Sequence, residues 1–488
     1  MTESLKLKTL YGVSFVFLAL NILFIINEIY WFSLVPLVCI LLLLSIFSVD
    51  KLLLFIVFCT PFAINLQHLN FGLGVSLPTE PLMFGLMVLF FIKLFTLGGF
   101  DKKILKHPIT IAIIVNMVWI GLTSITSQLP LVSFKFFISR LWFIITFYFL
   151  ATQLFKDYKN IKRFIWLYSI PLVGVIIYTT VRHASLGFTE KAAHWVMSPF
   201  FNDHTAYAAV IAMFIPIIFS FLYNKHYFFY IRLLSFVVLL IFFIAIVLSY
   251  TRAAWISLVV AFFVYLLFLF KIKFRTILFT AFTFLALFFI FRTQILQQLE
   301  KNNQDSSNDY ASHVKSMTNI STDASNLERI NRWKCAMRMF EQKPVFGWGP
   351  GTYSFKYAPF QRAEDKTIIS TNAGDGGNAH SEYIGPLAES GIVGSLSFIT
   401  IIITFIYKAV KLYDSSKNKE IRLVIMGVLL GLITYVVHGA LNNFLDTDKA
   451  SVPFWGFIAI ITALEVYHKD KSETDSSLHS ATEQSDIV

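Results

Sequence analysis

Residues 228–249 read FFYIRLLSFVVLLIFFIAIVLS, a run in which Arg232 is the one charged residue. About 20 apolar residues in an α-helix cross the roughly 30 Å hydrocarbon core of a bilayer, so this stretch reads as a membrane span. Runs of the same kind recur on both sides of it, near 9–28, 30–48, 51–68, 79–98, 107–127, 133–153, 162–181, 205–223, 252–271, 274–292, 391–410, 421–442 and 452–468. That makes about fourteen candidates. The run at 51–68 is the weakest, because Pro61 and Asn65 interrupt it. The composition agrees: 56% of the 488 residues are hydrophobic and only 14% charged, against roughly a quarter charged in soluble domains. The expected fold class is therefore an all-α polytopic membrane protein with about 12–14 transmembrane helices.

The series is interrupted once at length. Between Arg292 and Glu389 the chain turns polar and Gly-rich, which divides it into a bundle (1–292), a loop (293–390), C-terminal helices (391–468) and a tail (469–488). The tail is rich in Ser, Thr and Glu and reads as disordered, as does the polar stretch 302–326. Lys and Arg orient the whole. Alternate connections carry Lys102, Lys103 and Lys106, then Lys156, Lys159, Lys162 and Arg163, and later Lys408, Lys411, Lys417, Lys419 and Arg422. The connections between them carry little beyond Arg182, Lys191, Arg252 and Lys449. By the positive-inside rule the N-terminus is cytoplasmic and the large loop is outside. The first apolar run has no small-residue cleavage site after it and reads as a signal anchor. The net charge of +11 then reflects topology rather than nucleic-acid binding. Cys39, Cys59 and Cys335 lack metal-ligand spacing and read as packing residues.

The loop contains an amphipathic helix. Ser325 and Glu328 stand at capping-box spacing, Ile330, Trp333, Met337 and Phe340 form one apolar stripe, and Pro344 ends the segment. Such a helix suits a membrane surface with Trp333 at the interface. Arg332 and Arg338 read first as ordinary surface arginines of that helix. Arg252, in SYTRAAW, opens a span at the outer boundary, where an anionic partner is the natural reason for a positive charge. Arg140, in ISRLWF, falls inside a span and should face a hydrated interior or a ligand. Guanidinium groups supply planar, bidentate donors to a diphosphate, and no outer Asp-x-Asp pattern accompanies them. The expected site is thus a phosphate clamp with no metal and no cofactor. His380 follows Asn378, a good N-cap, so HSEYIGPLAESG reads as a helix opening on His380 and stopping near Gly391. In a first helical turn the imidazole would be held neutral by the helix dipole, ready to take a proton from a sugar hydroxyl.

RINRWKCAMRMFEQKPVFGWGPGTY (from Arg329), NAHSEYIGPLAESGIVG (from Asn378), SYTRAAWISLVVA (from Ser249) and FNDHTAYAA (from Phe201) together resemble the O-antigen ligase and O-antigen polymerase superfamily. The resemblance covers roughly 195–445; Ser381 stands where many members carry Asn. It implies a GT-C-like glycosyltransferase of the bacterial inner membrane, with one large periplasmic helical loop and a site facing the periplasm. The donor it implies is an undecaprenyl-diphosphate-linked glycan, and the acceptor the lipid A core or another glycan. Membrane lipids are then partners and nucleic acid is not. Carried over residue by residue, Arg252, Arg329 and His380 are the expected catalytic set. Arg140, Arg332, Trp333, Asn202, His204 and Tyr383 are expected to bind substrate. Ligation of O-antigen to lipid A core is the leading expectation. A repeat-unit polymerase and a protein O-oligosaccharyltransferase share the scaffold. A lipid-linked glycan transporter is disfavoured, because no repeated halves with broken helices are seen.

Overall fold

The computed structural model describes residues 3–66, 74–271, 324–366, 370 and 377–469. The expected span at 274–292, most of the polar stretch 302–326 and nearly all of the tail lie outside them. Among the described residues eleven helices are long and apolar enough to cross a membrane. The protein is an all-α, multi-pass membrane protein. Two expected spans come out short. The run at 30–48 yields only α2 (Val35–Phe47), and that at 51–68 yields α3 (Val49–Cys59), which stops just before Pro61. Asn65 then belongs to a two-residue strand pairing antiparallel with Ser76–Leu77.

The chain forms two compact units, Met1–Phe55 and Ile56–Val488. In the first, α1 (Glu3–Ile26) is followed by a tight turn at Tyr30–Leu34. Phe32 folds back onto Phe24 with ring centroids 4.4 Å apart, and Ser33 Oγ donates to Asn21 Oδ1 at 2.9 Å.

The second unit contains α4 (Thr79–Leu97), α5 (Pro108–Ile125), α6 (Pro130–Leu154), α7 (Tyr158–Ala184), α8 (His204–Tyr223), α9 (Phe229–Leu248) and α10 (Arg252–Leu269). After the loop helix α11 (Ala324–Gln342) come α12 (Ile384–Ser415), α13 (Lys419–His438) and α14 (Asp448–His468). The most apolar stretches of α8, α13 and α14 are 78%, 72% and 83% buried within the protein, those of α9 and α10 only 33% and 17%. The first three are therefore the centre, and the last two turn most of their surface outward. Little hydrophobic force separates a lipid-facing helix from a buried one, so close packing decides which helices meet. In α13, Gly427 and Gly431 stand four apart against α8. A Cβ on Gly431 would lie 2.4 Å from Met213 O, and one on Gly427 would lie 2.8 Å from Ile217 Cα. At the start of α14, buried Lys449 donates to Ala63 O at 2.8 Å and to Thr60 O, while Asp448 accepts from Thr79 Oγ1 at 2.6 Å. These bonds tie α14 to the segment that follows α3 and to the start of α4.

Candidate active site

Helix α11 carries two opposite faces. Glu328, Asn331, Arg332, Cys335, Ala336 and Met339 are buried, at the spacing of one helical stripe. The apolar stripe Ile330, Trp333, Met337 and Phe340 lies on the other side and is partly exposed, Met337 at 41%. The expected capping box is absent, because Ala324 and Ser325 are already helical. Glu328 instead accepts its i+4 neighbour Arg332 through Nε at 2.8 Å and, from the loop, the Ser370 hydroxyl, so these partners replace the local cap. Arg332 also reaches Asn378 O through Nη1 (3.3 Å) and stacks 4.9 Å over the Tyr357 ring. A Cβ on Gly377 would fall 1.5 Å from that Nη1, so the chain passes there only because residue 377 has no side chain. Arg332 is thus a brace between α11 and the His380 segment. Arg338 binds Asp365 (2.5 Å) and Phe360 O (2.8 Å) and also serves the loop's own structure. Cys335 packs at 0% exposure, and burial pushes its thiol up to about 11.

Past Pro344 the GWGPG turn locks onto the start of α12 through backbone atoms. Trp348 N donates to Ala388 O (3.0 Å), Gly349 N to Glu389 O (2.8 Å) and Ile392 N to Pro344 O (2.9 Å). Gly347 and Gly391 both have positive φ (68° and 67°), and each sits where a side chain would strike the other segment. A Cβ on Gly347 would be 2.4 Å from Glu389 C, and one on Gly391 would be 2.0 Å from Val345 O. Glu389 Oε1 then accepts Tyr353 N at 2.9 Å, fixing the loop beyond the turn. Gln128 N and Ser133 Oγ hold the same turn from the α5–α6 connection, through Trp348 O (3.1 Å) and Pro350 O (2.8 Å).

The segment around His380 differs from its expected form. Helix α12 starts at Ile384, four residues later than the sequence suggests; its helical geometry breaks at Gly391 (φ 67°, ψ −171°), where the sequence places a stop, and resumes beyond it to Ser415. His380 adopts φ = 49°, with its N–H on Asn378 Oδ1 at 3.1 Å. Ser381 Oγ accepts from Tyr383 N and Ile384 N, both at 3.3 Å, and this side chain marks the true helix start. The helix dipole therefore does not account for a neutral imidazole. Burial does, helped by the Arg329 and Arg332 guanidinium groups; together they push His380 down to about 4 against the pull of Asp203 and Glu328.

Glu382, which the sequence reading passed over, staples this segment to the bundle. Its buried Oε1 accepts Tyr435 Oη (2.7 Å), Phe444 N (2.8 Å) and Leu445 N (2.9 Å), and its own N–H donates to Gly439 O (2.8 Å). Burial raises the Glu382 carboxyl above its ordinary range, partly offset by Arg140. Arg140 donates to Leu445 O at 3.2 Å and its charge bears on Glu382 and Asp446. It stands in this acidic cluster rather than in the hydrogen-bond set of His380. Tyr383 Oη donates to Val436 O at 2.7 Å, a second staple to α13.

Around His380 several elements converge. Asp203 caps α8, its Oδ1 taking Thr205 N and Ala206 N at 2.8 Å each. Arg329 and Asp203 bear electrostatically on His380, on His204 at the head of α8 and on His438 at the end of α13. The His204 ring lies 4.1 Å from that of His194, and His438 Nε2 lies 3.1 Å from Asn442 Nδ2. Thr251 Oγ1 donates to His204 O at 3.2 Å, which sets the neighbouring Arg252, first residue of α10 and half-buried, against the head of α8. Asn202 is exposed in the turn before it, and Trp333 is half-buried with an indole N–H that is buried and makes no hydrogen bond. Asp203, His194 and His438 were missed by sequence reasoning. Asp203 stood inside a quoted motif, but a buried His at the end of a span carries no local signal.

The same motifs fall inside a family match. Residues 236–399 match the family model described as O-Antigen ligase, a span that includes Arg252, Arg329, Arg332, Trp333, His380 and Tyr383 but not Arg140, Asn202 or His204. The chain is also similar to an uncharacterized protein of Haemophilus influenzae, at 24% identity over 311 residues, covering 61% of this chain and 72% of that one. The O-antigen ligase match supports an enzyme of ligase or polymerase type acting on a lipid-linked glycan and a glycan acceptor. Over residues 236–399 the chain is thus similar to the O-antigen ligase family, in line with the O-antigen ligase and O-antigen polymerase superfamily that its motifs resemble.

Proposed function

We propose that the chain transfers O-antigen glycan from undecaprenyl diphosphate to an acceptor hydroxyl of the lipid A core, on the periplasmic face of the inner membrane. The observation that carries this reading is the meeting of His380 and Arg329, from opposite ends of the loop, at the heads of α8 and α10. A neutral imidazole beside a guanidinium fits a base next to an anion-binding group. His380 takes the proton of the acceptor hydroxyl, whose oxygen bonds to the anomeric carbon as the bond from that carbon to the diphosphate oxygen breaks. The electron pair leaves with the lipid diphosphate, and Arg329 and Arg252 neutralise it. Arg332 and Tyr383 hold the His380 segment in place.

The test is reconstitution of the purified protein in liposomes with lipid-linked O-antigen and lipid A core, read as glycan on the core. Glycan moving across the bilayer without a new glycosidic bond would overturn the reading. In a deletion strain, loss of all smooth lipopolysaccharide with accumulation of polymeric lipid-linked glycan is expected. A core bearing a single repeat unit would instead indicate a polymerase.

A further inference from the structure

At the other end of the bundle, α8, α9, α10 and α13 part around a cavity of about 930 Å³. Sites that hold organic ligands run to roughly 300–1,000 Å³. Ile215, Phe219, Phe243, Phe262, Tyr265 and Leu430 give it apolar walls. Its mouth is basic: Lys225 and His226 follow α8, and Lys419 and Arg422 sit in the first turn of α13. No Asp or Glu is among the described residues that line it. The nearby Glu420 is already bound to Lys162 at 2.7 Å.

Helix direction places this mouth. The candidate site takes the start of α8 and α10 and the end of α13, whereas the basic residues follow the end of α8 and open α13. The cavity therefore opens on the face opposite His380. From Ile215 to Asn224 the wall of α8 rises about 14 Å, and from Lys419 to Leu430 that of α13 rises about 17 Å, at about 1.5 Å per residue. One leaflet of a bilayer with a hydrocarbon core of roughly 30 Å is about 15 Å deep. Arg422 is stacked 4.5 Å from the Tyr413 ring, and its Nε is buried without a hydrogen bond. A guanidinium held flat with an unused inner N–H is prepared for a phosphate oxygen.

We propose that this cavity binds an anionic phospholipid of the leaflet opposite the candidate site, with an acyl chain between α8, α10 and α13 and the phosphodiester at Arg422 and Lys419. The chain's own apolar run 274–292 is the competing occupant. It contains no carboxylate, so it would leave the basic mouth unmatched. The proposal does not depend on the glycosyltransferase reading.

The test uses the full-length protein in nanodiscs of equal parts phosphatidylglycerol and phosphatidylcholine with matched chains, released for native mass spectrometry. One phosphatidylglycerol is expected to stay bound per protein, enriched at least about tenfold over phosphatidylcholine. Arg422→Gln with Lys419→Gln should abolish the enrichment, and Ala261→Trp, which fills the cavity, should expel the lipid. Equal retention of both lipids by the unsubstituted protein overturns the proposal, whatever the variants do. So does cross-linking of Ala261→Cys to cysteines placed in 274–292 when no lipid is retained.

Discussion

His380 sits in a left-handed backbone conformation that few residues other than Gly, Asn, Asp and His adopt readily. Its imidazole is held neutral down to about 4, where an ordinary histidine changes charge near 6.5. If it is the base, the rate should stay flat as pH falls through 6.5 and drop only near 4. Arg329→Gln removes one cause of the depression, so the acid limb should move up towards 6.5 in that variant. An acid limb at 6.5 in the unsubstituted enzyme would contradict the assignment. Stability carries the same sign. The unfolded chain takes up a proton near 6.5 that the folded state refuses until about 4, so this group's contribution is complete above 6.5 and is lost as pH falls through that window. His380→Ala should cost about 10²–10⁴ in rate, the range for a positioned acid–base group, while leaving donor retention intact. Arg252→Ala and Arg329→Ala should weaken donor retention as well, measured by co-purification of the lipid-linked glycan.

At the scale of elements, the contact between the GWGPG turn and α12 is governed by two glycines. Gly391→Ala must place a Cβ against Val345 O in a left-handed residue, whereas Gly98→Ala has the same sign of φ (65°) but open space around it. The backbone penalty alone is roughly 1–2 kcal/mol. Thermal unfolding in detergent should therefore show a modest loss for Gly98→Ala and a clearly larger one for Gly391→Ala; equal losses would mean that the clasp yields freely. Much of this region was readable beforehand. Pro344 ends α11, Arg252 opens α10, and Arg329 and His380 come from the two ends of the loop, as their motif spacing implies. What failed failed for one reason: local rules were overruled by distant partners. Besides its i+4 neighbour Arg332, Glu328 takes Ser370 rather than a local cap, and the helix start expected at His380 gives way to the staples of Glu382 and Tyr383. Partners more than forty residues away leave no trace in a local pattern.

At the scale of the molecule, apolar run length identified eleven helices among the described residues, but it overstated α2 and α3, since hydrophobicity alone does not report where a helix breaks. Which helices form the centre was not legible from apolarity, because α8 and α10 have nearly the same mean hydropathy (2.2 and 2.1) although 78% of one stretch and 17% of the other are buried. Gly427 and Gly431 carried that information in their four-residue spacing. Gly431→Leu should force α8 and α13 apart and sharply reduce the yield of folded protein, measured by size-exclusion chromatography in detergent. Orientation remains a proposal resting on the distribution of Lys and Arg. In a chain stripped of its three cysteines, Glu364→Cys should react with an impermeant maleimide in intact spheroplasts, and Asp157→Cys only after permeabilisation.

The grip of the GWGPG turn on α12 is made mostly by peptide groups: Trp348 N, Gly349 N and Ile392 N against Ala388 O, Glu389 O and Pro344 O. Every residue except proline carries both peptide groups, so non-proline substitutions away from the glycines leave these three bonds available. The exposed residues Arg362, Ala363, Glu364 and Lys366 are accordingly free to drift in composition, provided Asp365 keeps its partners on α11. The surface of the loop can then change while the joint beneath it stays fixed.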